Sequence, residues 1–484
     1  MDIYQWPLRA DFLNRKQDLE ELEQWWQAPP ERHLNLYGRR RAGKSWLFRA
    51  FAHGKPAMIF TASERGTADQ LARFAEQLEP TLGVRPAFGG DFASFFRTLF
   101  RLARTERLLV VIDEFPWLVA SNPKLPSLLF SVIEEEEDSQ LRLILCGSHV
   151  SQMEEIFAER SPLGGRFRKL RIRPLTFFQA LDFLPELSAE DAVTRYAVAG
   201  GMPYYLRSLG TATQLRDLLS SLILSPRGSL YDEPRSVLSQ ELRKPNNYFS
   251  ILSALASGFD LTHAELRSHT RLGPSTLSKY LHVLEGLDMV EPYSPVTEAR
   301  QAARSRRYRI RDPFLRFWFR FVFDVQQDLD AGLDPAQYFD AHVRPHLPEL
   351  VAPVFEGICR SWAREEFKDR VTRVGGWWGR ALDALRRTHQ RNTEEIDLVA
   401  LDRRSVTVLG ECRWRSERMG LDVLQDLREF KLPALRQAGV SLAPDCQFVL
   451  FAKAGFTSGL HDEASRSGVR LVNLDELCRV GQLD

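Results

Sequence analysis

The sequence has few cysteines and no long apolar run. Its 484 residues contain five cysteines, and none shows the short spacing of a metal site. No apolar run is long enough to cross a membrane, and residues 1–5 do not resemble a signal peptide. We therefore expect a protein of the reducing cytoplasm, with no part in the membrane.

The chain also lacks an excess of charge of one sign. Its formal net charge is +1, so its total charge gives no reason to expect nucleic acid as a partner. Any such partner must be recognised by a local basic surface. The chain is too long for one ordinary domain, and we expect two to four domains.

What the sequence does contain is a complete phosphate-binding loop, G-x-x-x-x-G-K-[ST]. The loop consists of Gly38, Arg39, Arg40, Arg41, Ala42, Gly43, Lys44 and Ser45. It lies between an apolar run typical of a strand and a stretch typical of a helix, which is the context this motif requires. We expect backbone N–H groups and Lys44 to bind the phosphates of a nucleotide, and Ser45 to hold Mg²⁺.

A second motif supports nucleotide binding. The five apolar residues 108–112 predict a strand buried on both faces, as in a parallel sheet, and Asp113 and Glu114 follow it directly. Asp113 is suited to the Mg²⁺ shell, and Glu114 could polarise the attacking water. A buried strand ending in surface acids is the alternative, but the order of the two motifs favours a nucleotide site.

Residues 1–225 are expected to form the first domain, in which strands alternate with helices. The predicted strands are 34–37, 57–61, 108–112, 141–146 and 169–173. Ser148 follows the strand that we expect between the loop strand and the Asp113 strand, with His149 beside it. Such a residue can sense the terminal phosphate; the alternative is a serine that only makes a turn.

Three further segments give the chain a family resemblance. Residues 12–20, 161–166 (S-P-L-G-G-R) and 200–206 (G-G-M-P-Y-Y-L) resemble segments of AAA-like archaeal and bacterial ATPases. The resemblance implies a STAND-related ATPase that uses ATP, built from an ATPase domain with a helical lid, a winged helix and a nuclease-like tail. It also implies that Arg15 and Pro203 lie at the nucleotide.

Arg166 belongs to the second of these segments. A guanidinium after the sensor strand could reach the terminal phosphate, from the same chain or from a neighbouring copy in a homo-oligomer. The alternative is that Arg166 is part of a solvated basic face.

Residues 226–325 predict a winged helix and a connector. Leu277, Leu281 and Leu284 fall at helical spacing and should be buried. A polar set is left to face DNA, followed by a basic hairpin: Ser275, Thr276, Ser278, Lys279 and His282, then Arg304, Arg306 and Arg307. The alternative is a packing module without DNA contact. The aromatic stretch 312–321 predicts a core helix.

Residues 326–484 contain a possible second active site. Two strands joined by a short turn should bring Asp397 and Glu411 together, with Glu356 on a nearby helix. This set resembles the core of PD-(D/E)xK nucleases, in which paired carboxylates hold Mg²⁺. Arg413 stands where that family has lysine, and arginine effectively cannot shed a proton. A degenerate, non-cleaving domain is therefore the alternative.

Together these features predict a multidomain α/β protein: a P-loop NTPase of the ASCE, AAA-like class, a winged helix-turn-helix and a restriction-endonuclease-like domain. Its predicted function is a Mg²⁺-dependent ATP switch coupled to DNA binding and, through the tail, to metal-dependent cleavage. The alternative is a signalling STAND-like ATPase whose appended domains bind protein partners.

Overall fold

A computed structural model describes residues 13–29, 32–242, 245–258, 260–298, 306–382 and 392–479. They form two compact units. The first contains the residues up to Pro174 with residues 202–204 and 237–242, and the second contains the remainder. The domain limits expected from the sequence, near residues 225 and 325, remain predictions. No helix of the described residues is both long and apolar enough to span a membrane.

The first unit is built on a parallel sheet, as expected. Its strands lie in the order β2-β3-β4-β1-β5, and every neighbouring pair is parallel. The strands are β1 (His33–Tyr37), β2 (Ala57–Thr61), β3 (Leu108–Asp113), β4 (Leu141–Gly147) and β5 (Phe167–Arg171). All residues of β1, β3 and β4 are buried because helices cover both faces.

Helices connect these strands. They are α1 (Lys16–Gln27), α2 (Lys44–Ala52), α3 (Thr67–Leu82), α4 (Phe92–Leu102), α5 (Pro116–Ser121), α6 (Leu125–Glu135) and α7 (Val150–Ile156). α4 shows why such a segment becomes a helix: Asp91 caps its first turn by accepting from two backbone N–H groups, and its phenylalanines lie on one buried face. Because β4 lies between β3 and β1, the segment after β4 reaches the same edge of the sheet as the phosphate-binding loop.

The second unit begins with short helices. They are α8 (Phe177–Ala180), α9 (Ala189–Ala199), α10 (Pro203–Leu209), α11 (Leu215–Leu222) and α12 (Glu233–Glu241). The first residues of α10 and the last residues of α12 group with the first unit.

A helical segment with a small antiparallel sheet, ordered β6-β8-β7, comes next. Its elements are α13 (Asn246–Gly258), β6 (Leu261–Thr262), α14 (His263–Thr270), α15 (Pro274–Gly286), β7 (Val290–Tyr293) and β8 (Arg307–Ile310). Thr262 and Glu265 form the capping box expected at the start of α14. The aromatic stretch forms α16 (Pro313–Phe321), whose Trp318 is fully buried, so the predicted core helix is present.

The tail contains helices followed by a mixed sheet in the order β13-β12-β11-β10-β9. The helices are α17 (Gln326–Asp330), α18 (Pro335–Tyr338) and α19 (Leu347–Glu366), with short ones at Leu421–Asp426, Leu432–Gln437, Ser458–Ser467 and Leu474–Arg479. The strands are β9 (Arg373–Arg380), β10 (Thr393–Asp402), β11 (Ser405–Arg413), β12 (Ser441–Ala452) and β13 (Arg470–Asn473). β9, β10 and β11 are antiparallel, whereas β11, β12 and β13 are parallel.

Candidate functional site

The phosphate-binding loop connects β1 to α2, as the motif requires. Gly43 has φ +90°, a conformation that favours glycine, and it directly precedes the first residue of α2. At Gly38 a Cβ atom would lie 2.3 Å from the carbonyl oxygen of Ile172, so a side chain is excluded there. The backbone therefore turns tightly at the edge of the sheet, where its N–H groups can surround an anion.

Lys44 lies across this loop. Its ammonium group donates to the carbonyl oxygens of Gly38 at 2.8 Å and Arg39 at 3.1 Å, and its side chain is buried. Because these acceptors are neutral, its charge is not neutralised by them. Lys44 is thus placed to bind a negatively charged phosphate at the loop.

Ser45 and Asp113 meet at the same edge of the sheet. The Ser45 hydroxyl donates to Asp113 Oδ2 at 3.1 Å. Burial raises the pKa of Asp113, and the neighbouring charge of Glu114 raises it further, while Lys44 lowers it. A hydroxyl and a carboxylate are hard oxygen ligands, and phosphate oxygens and water could complete an octahedral shell, so the pair fits Mg²⁺.

Glu114 is held by the predicted sensor residue. The Ser148 hydroxyl lies 2.8 Å from Glu114 Oε1 and 2.9 Å from Oε2, and the Ser148 N–H donates to Oε2 at 3.3 Å. Glu114 itself has φ +56°, an uncommon conformation for a residue with a side chain. The sequence predicted that Ser148 would lie at this edge of the sheet, but it did not indicate that Ser148 would bind the carboxylate of Glu114.

Other side chains pack around the loop. Arg15 donates to the carbonyl oxygen of Ala42 at 2.6 Å and pairs with Asp18 at 3.0 Å, so it supports the loop backbone. Arg41 stacks over the ring of Tyr204, with its guanidinium carbon 3.9 Å from the ring centroid. A Cβ atom at Gly43 would lie 3.5 Å from Pro203 Cγ, so Pro203 is close to the loop as well.

Arg166 lies on the surface of the first unit. Its guanidinium forms an ion pair of 2.7 Å with Glu134 of α6 and lies over the ring of Phe130. A role as an arginine finger remains a prediction; it would require this ion pair to open.

The tail carboxylates are brought together as the sequence predicted. β10 and β11 are antiparallel, and Asp397 Oδ2 accepts from the N–H of Cys412 at 2.9 Å. Arg413 bridges the two acids: its guanidinium donates to Asp397 Oδ2 at 3.1 Å and to Glu411 Oε2 at 2.9 Å. Glu356 lies on α19, where it pairs with Arg360 at 2.7 Å. Arg360 also donates to the carbonyl oxygen of Asp397 at 2.7 Å.

A residue that the sequence did not indicate completes this cluster. The ammonium group of Lys431 donates to Glu411 Oε2 at 2.8 Å, and both side chains are buried. Lys431 ends a π-helical turn, Leu427–Lys431, and lies far from Glu411 in sequence. No spacing rule relates the two positions, so only the packing of this turn on the sheet could reveal the contact.

The tail cluster does not fit Mg²⁺ in this arrangement. Arg413 spans Asp397 and Glu411, the two acids expected to share the metal. Burial and the charge of Asp397 raise the pKa of Glu411 to about 8, although Lys431 and Arg413 lower it. A metal ligand must be deprotonated, and Glu411 holds its proton to unusually high pH.

The polar face expected on the third helix of the middle segment is present. Ser275, Thr276 and Ser278 are exposed on α15, as are Lys279 and His282. The three leucines predicted to face inward, 277, 281 and 284, are buried. Contact of this face with DNA remains a prediction.

The basic hairpin differs from the expectation. Arg307 lies over the ring of Trp378, 5.1 Å from its centroid, and 3.8 Å from Glu395. Arg309 stacks on Tyr293 at 4.0 Å, and the rings of Tyr293 and Trp378 are 4.7 Å apart. These arginines therefore join β8 to the tail strands instead of projecting freely. Arg306 is partly buried. Arg304 is outside the described residues.

Two family models match the chain. Residues 12–209 match a model of an ATPase domain found predominantly in Archaea. Residues 318–423 match a model of archaeal and bacterial proteins of unknown function. The first match covers all the loop, strand-end and sensor residues described above.

Individual proteins resemble the chain over different lengths. An uncharacterised protein of Methanocaldococcus jannaschii is 28% identical over 413 residues, which are 84% of this chain and 88% of the relative. An uncharacterised ATP-binding protein of the same organism is 46% identical over 44 residues, 9% of this chain and 75% of that protein.

One solved structure is also similar. The match to the Walker-type ATPase of Pyrococcus abyssi covers 66% of this chain and 99% of that protein's chain, with a TM-score of 0.50 and 20% sequence identity. At this identity the likeness shows the fold alone. Residues 12–209 thus match the model of an ATPase domain found predominantly in Archaea, and the chain shares the fold of a Walker-type ATPase.

Proposed function

We propose that the first unit binds ATP with Mg²⁺ and hydrolyses it, and that the protein uses this reaction as a switch. The observation that carries the proposal is the meeting of three strand ends at one edge of the sheet. There Ser45 contacts Asp113 at 3.1 Å, and Ser148 contacts Glu114 at 2.8 Å. Both carboxylates are thus held by neutral hydroxyls, and their charge is kept for a cation and for water.

Each residue has a role that follows from its position. The loop N–H groups and Lys44 bind the phosphates. Ser45 and Asp113 would hold Mg²⁺, which neutralises the charge that develops on the phosphate oxygens. Glu114 accepts hydrogen bonds from Ser148 and orients the attacking water. A shift of Ser148 on contact with the terminal phosphate would alter Glu114, which links nucleotide state to catalysis.

The test is phosphate release from Mg²⁺-ATP, with ATP binding measured in parallel. Turnover that requires both Glu114 and Lys44 supports the proposal. Binding without turnover, unchanged in Glu114→Gln, would reduce the first unit to a nucleotide-binding module.

We also propose that residues 246–310 form a winged helix that binds DNA through α15. The support is the exposed polar face of α15, which carries Lys279 and His282 next to small hydroxyl side chains. Because Arg307 packs on Trp378 of the tail and Arg309 packs on Tyr293 of β7, the helix face, and not the hairpin, would make the main contact. DNA retention should weaken steeply with salt. Lys279→Ala should retain DNA less well than Lys368→Ala, at an exposed lysine of the tail, and its retention should depend less steeply on salt. Equal retention by both variants would contradict this contact.

For the tail we propose a binding role without cleavage. The observation favouring it is that Arg413 and Lys431, both cations, contact the carboxylates expected to hold the metal. The test is Mg²⁺-dependent cleavage of single- and double-stranded DNA, with and without ATP. Cleavage by the wild type that is lost in Asp397→Ala would restore the nuclease interpretation; its absence leaves a tail that binds DNA or a protein partner.

A further inference from the structure

The end of α12 belongs to the first unit, which we call the ATPase unit from here on. The residues before it belong to the second unit. Residues 237–242 group with the phosphate-binding loop, whereas residues 205–236 group with the second unit. Val237, Leu238 and Leu242 are buried, so apolar packing fixes this short piece of chain. Of the three polar residues between Leu238 and Leu242, Gln240 and Glu241 are therefore held at a defined place in this unit.

Gln240 and Glu241 both contact elements of the nucleotide site. Gln240 Oε1 accepts a hydrogen bond of 2.7 Å from the guanidinium of Arg40, a residue of the phosphate-binding loop. The carboxylate of Glu241 accepts a hydrogen bond from the backbone N–H of Val150, two residues after Ser148. It also lies close enough to Arg39 and Lys44 to be attracted by both, and close enough to Glu114 to be repelled.

These neighbours are those that a terminal phosphate would have. A phosphate group at the loop would interact with Lys44 and approach Glu114 and Ser148. An anionic oxygen of Glu241 is in the same surroundings, so a bound terminal phosphate and the Glu241 carboxylate would repel each other and compete for the same cations.

We propose that Glu241 is a built-in competitor of the terminal phosphate, and that ATP, but not ADP, displaces residues 237–242 from the nucleotide site. This inference rests on the proposed ATP site and names its regulation. Because α12 continues from this piece back to Glu233, the displacement is passed along the chain to residues that pack with the second unit. A carboxylate that is released by one extra phosphate gives the switch a way to distinguish ATP from ADP.

Burying the charged carboxylate of Glu241 is itself unfavourable, which favours its release from the site. Burial raises the pKa of Glu241 to about 7, and Arg39 and Lys44 lower it only in part. The nearby cations therefore do not fully offset the cost of burying this charge.

The experiment compares the affinities for Mg²⁺-ATP and Mg²⁺-ADP of the full chain, measured by calorimetry at pH 8.5, where the carboxylate of Glu241 is ionised. In Glu241→Gln the repelling charge is gone, and we expect ATP to bind about tenfold more tightly, with a change in ADP affinity of less than about twofold. Glu233→Gln is the matched control at the opposite end of the same helix, and it should behave as the wild type. An unchanged ratio of ATP to ADP affinity in Glu241→Gln would overturn the inference.

A second variant and a second measurement guard against misfolding of Glu241→Gln. Gln240→Ala loses the bond to Arg40 and should shift the ratio in the same direction, by a smaller factor. In the wild type, the N–H of Leu242, bonded to Leu238, should exchange its hydrogen faster with a β,γ-imido analogue of ATP than with ADP. Equal exchange with both nucleotides would also overturn the inference. If neither nucleotide binds in a manner that depends on Lys44, the proposed ATP site itself fails.

Discussion

Two clusters of the molecule each hold a pair of acids, at the end of β3 in the first unit and on the neighbouring strands β10 and β11 in the tail, and the partners of the two pairs differ. In the ATPase unit, Asp113 and Glu114 accept hydrogen bonds from the hydroxyls of Ser45 and Ser148. In the tail, the acids accept from cations: Arg413 contacts Asp397 and Glu411, and Lys431 contacts Glu411 as well. The side chains that donate to the first pair are neutral, whereas two cations contact the second pair.

The difference shows that paired carboxylates do not by themselves make a metal site. A divalent cation needs acids whose charge is not already matched and which are deprotonated. Hydroxyl partners satisfy the lone pairs without supplying positive charge. Guanidinium and ammonium partners supply the charge that a metal would bring.

The largest effect is expected for Lys44→Ala in the ATPase unit. Lys44 donates to neutral carbonyls and is positioned to bind phosphate, so its removal should lower ATP turnover about a thousandfold and weaken ATP binding. Phosphate release and nucleotide affinity are the measurements. Lys124→Ala, at an exposed lysine before α6, is the control and should retain wild-type rates. Turnover that survives in Lys44→Ala would contradict the assignment of the loop.

The next effect is expected for Glu114→Gln. The amide keeps the shape and can still accept from Ser148, but it cannot act as a carboxylate toward water, so turnover should fall about a hundredfold. ATP affinity should remain within about twofold of the wild type because Glu114 does not bind the phosphates. Measuring both quantities separates this variant from Lys44→Ala. An equal loss of affinity and rate would assign Glu114 to binding.

In the tail, Lys431→Met should lower stability and not a rate. Removing the lysine partner of Glu411 should lower the free energy of unfolding by about 2 kcal/mol. The loss is smaller than for a buried charge without any partner, because Arg413 still contacts Glu411 and Glu411 can take up a proton. Urea unfolding measures this loss of stability. Because a bound ATP analogue stabilises the ATPase unit, the unfolding transition that the analogue shifts is the one of that unit. Lys453→Met breaks a more exposed pair with Glu190 and should cost less than about 1 kcal/mol. Equal costs for both variants would contradict a buried, neutralised cluster.

The smallest effect is a dependence of stability on pH. Glu411 has a pKa raised to about 8 in the folded protein, above its usual value. The folded state therefore binds a proton that the unfolded chain has lost, and this contribution is complete below the ordinary glutamate pKa and is lost as the pH rises through about 8. Glu411→Gln removes this titration, and between pH 7 and 8 it should lose about 1 kcal/mol less stability than the wild type. Identical slopes would show that Glu411 is ionised throughout.

The sequence predicted the ATPase unit in detail because its signals are local. The apolar run before Asp113 and the glycines around the loop determine strand and turn within a few residues. The position of β4 between β3 and β1, and hence of Ser148, was expected by analogy with related folds and is confirmed by the sheet order.

The remaining features depend on contacts between distant parts of the chain. Glu241 reaches the loop about two hundred residues after it, and no motif joins the two positions. Lys431 contacts Glu411 through a helical turn that packs on the sheet. The stacking of Arg307 on Trp378 likewise could not be deduced from a run of arginines, which is equally typical of a free basic hairpin.

The most direct test of the comparison is the number of Mn²⁺ ions bound per chain, measured by electron paramagnetic resonance of the free ion with and without an ATP analogue. We expect one Mn²⁺ ion per chain, bound only when the nucleotide is present. Its binding should be lost in Lys44→Ala and kept in Asp397→Asn, because only the carboxylates of the ATPase unit are held by neutral hydroxyls. A Mn²⁺ ion that binds without nucleotide and is lost in Asp397→Asn would contradict this expectation, and would show that a metal displaces Arg413 from the tail acids.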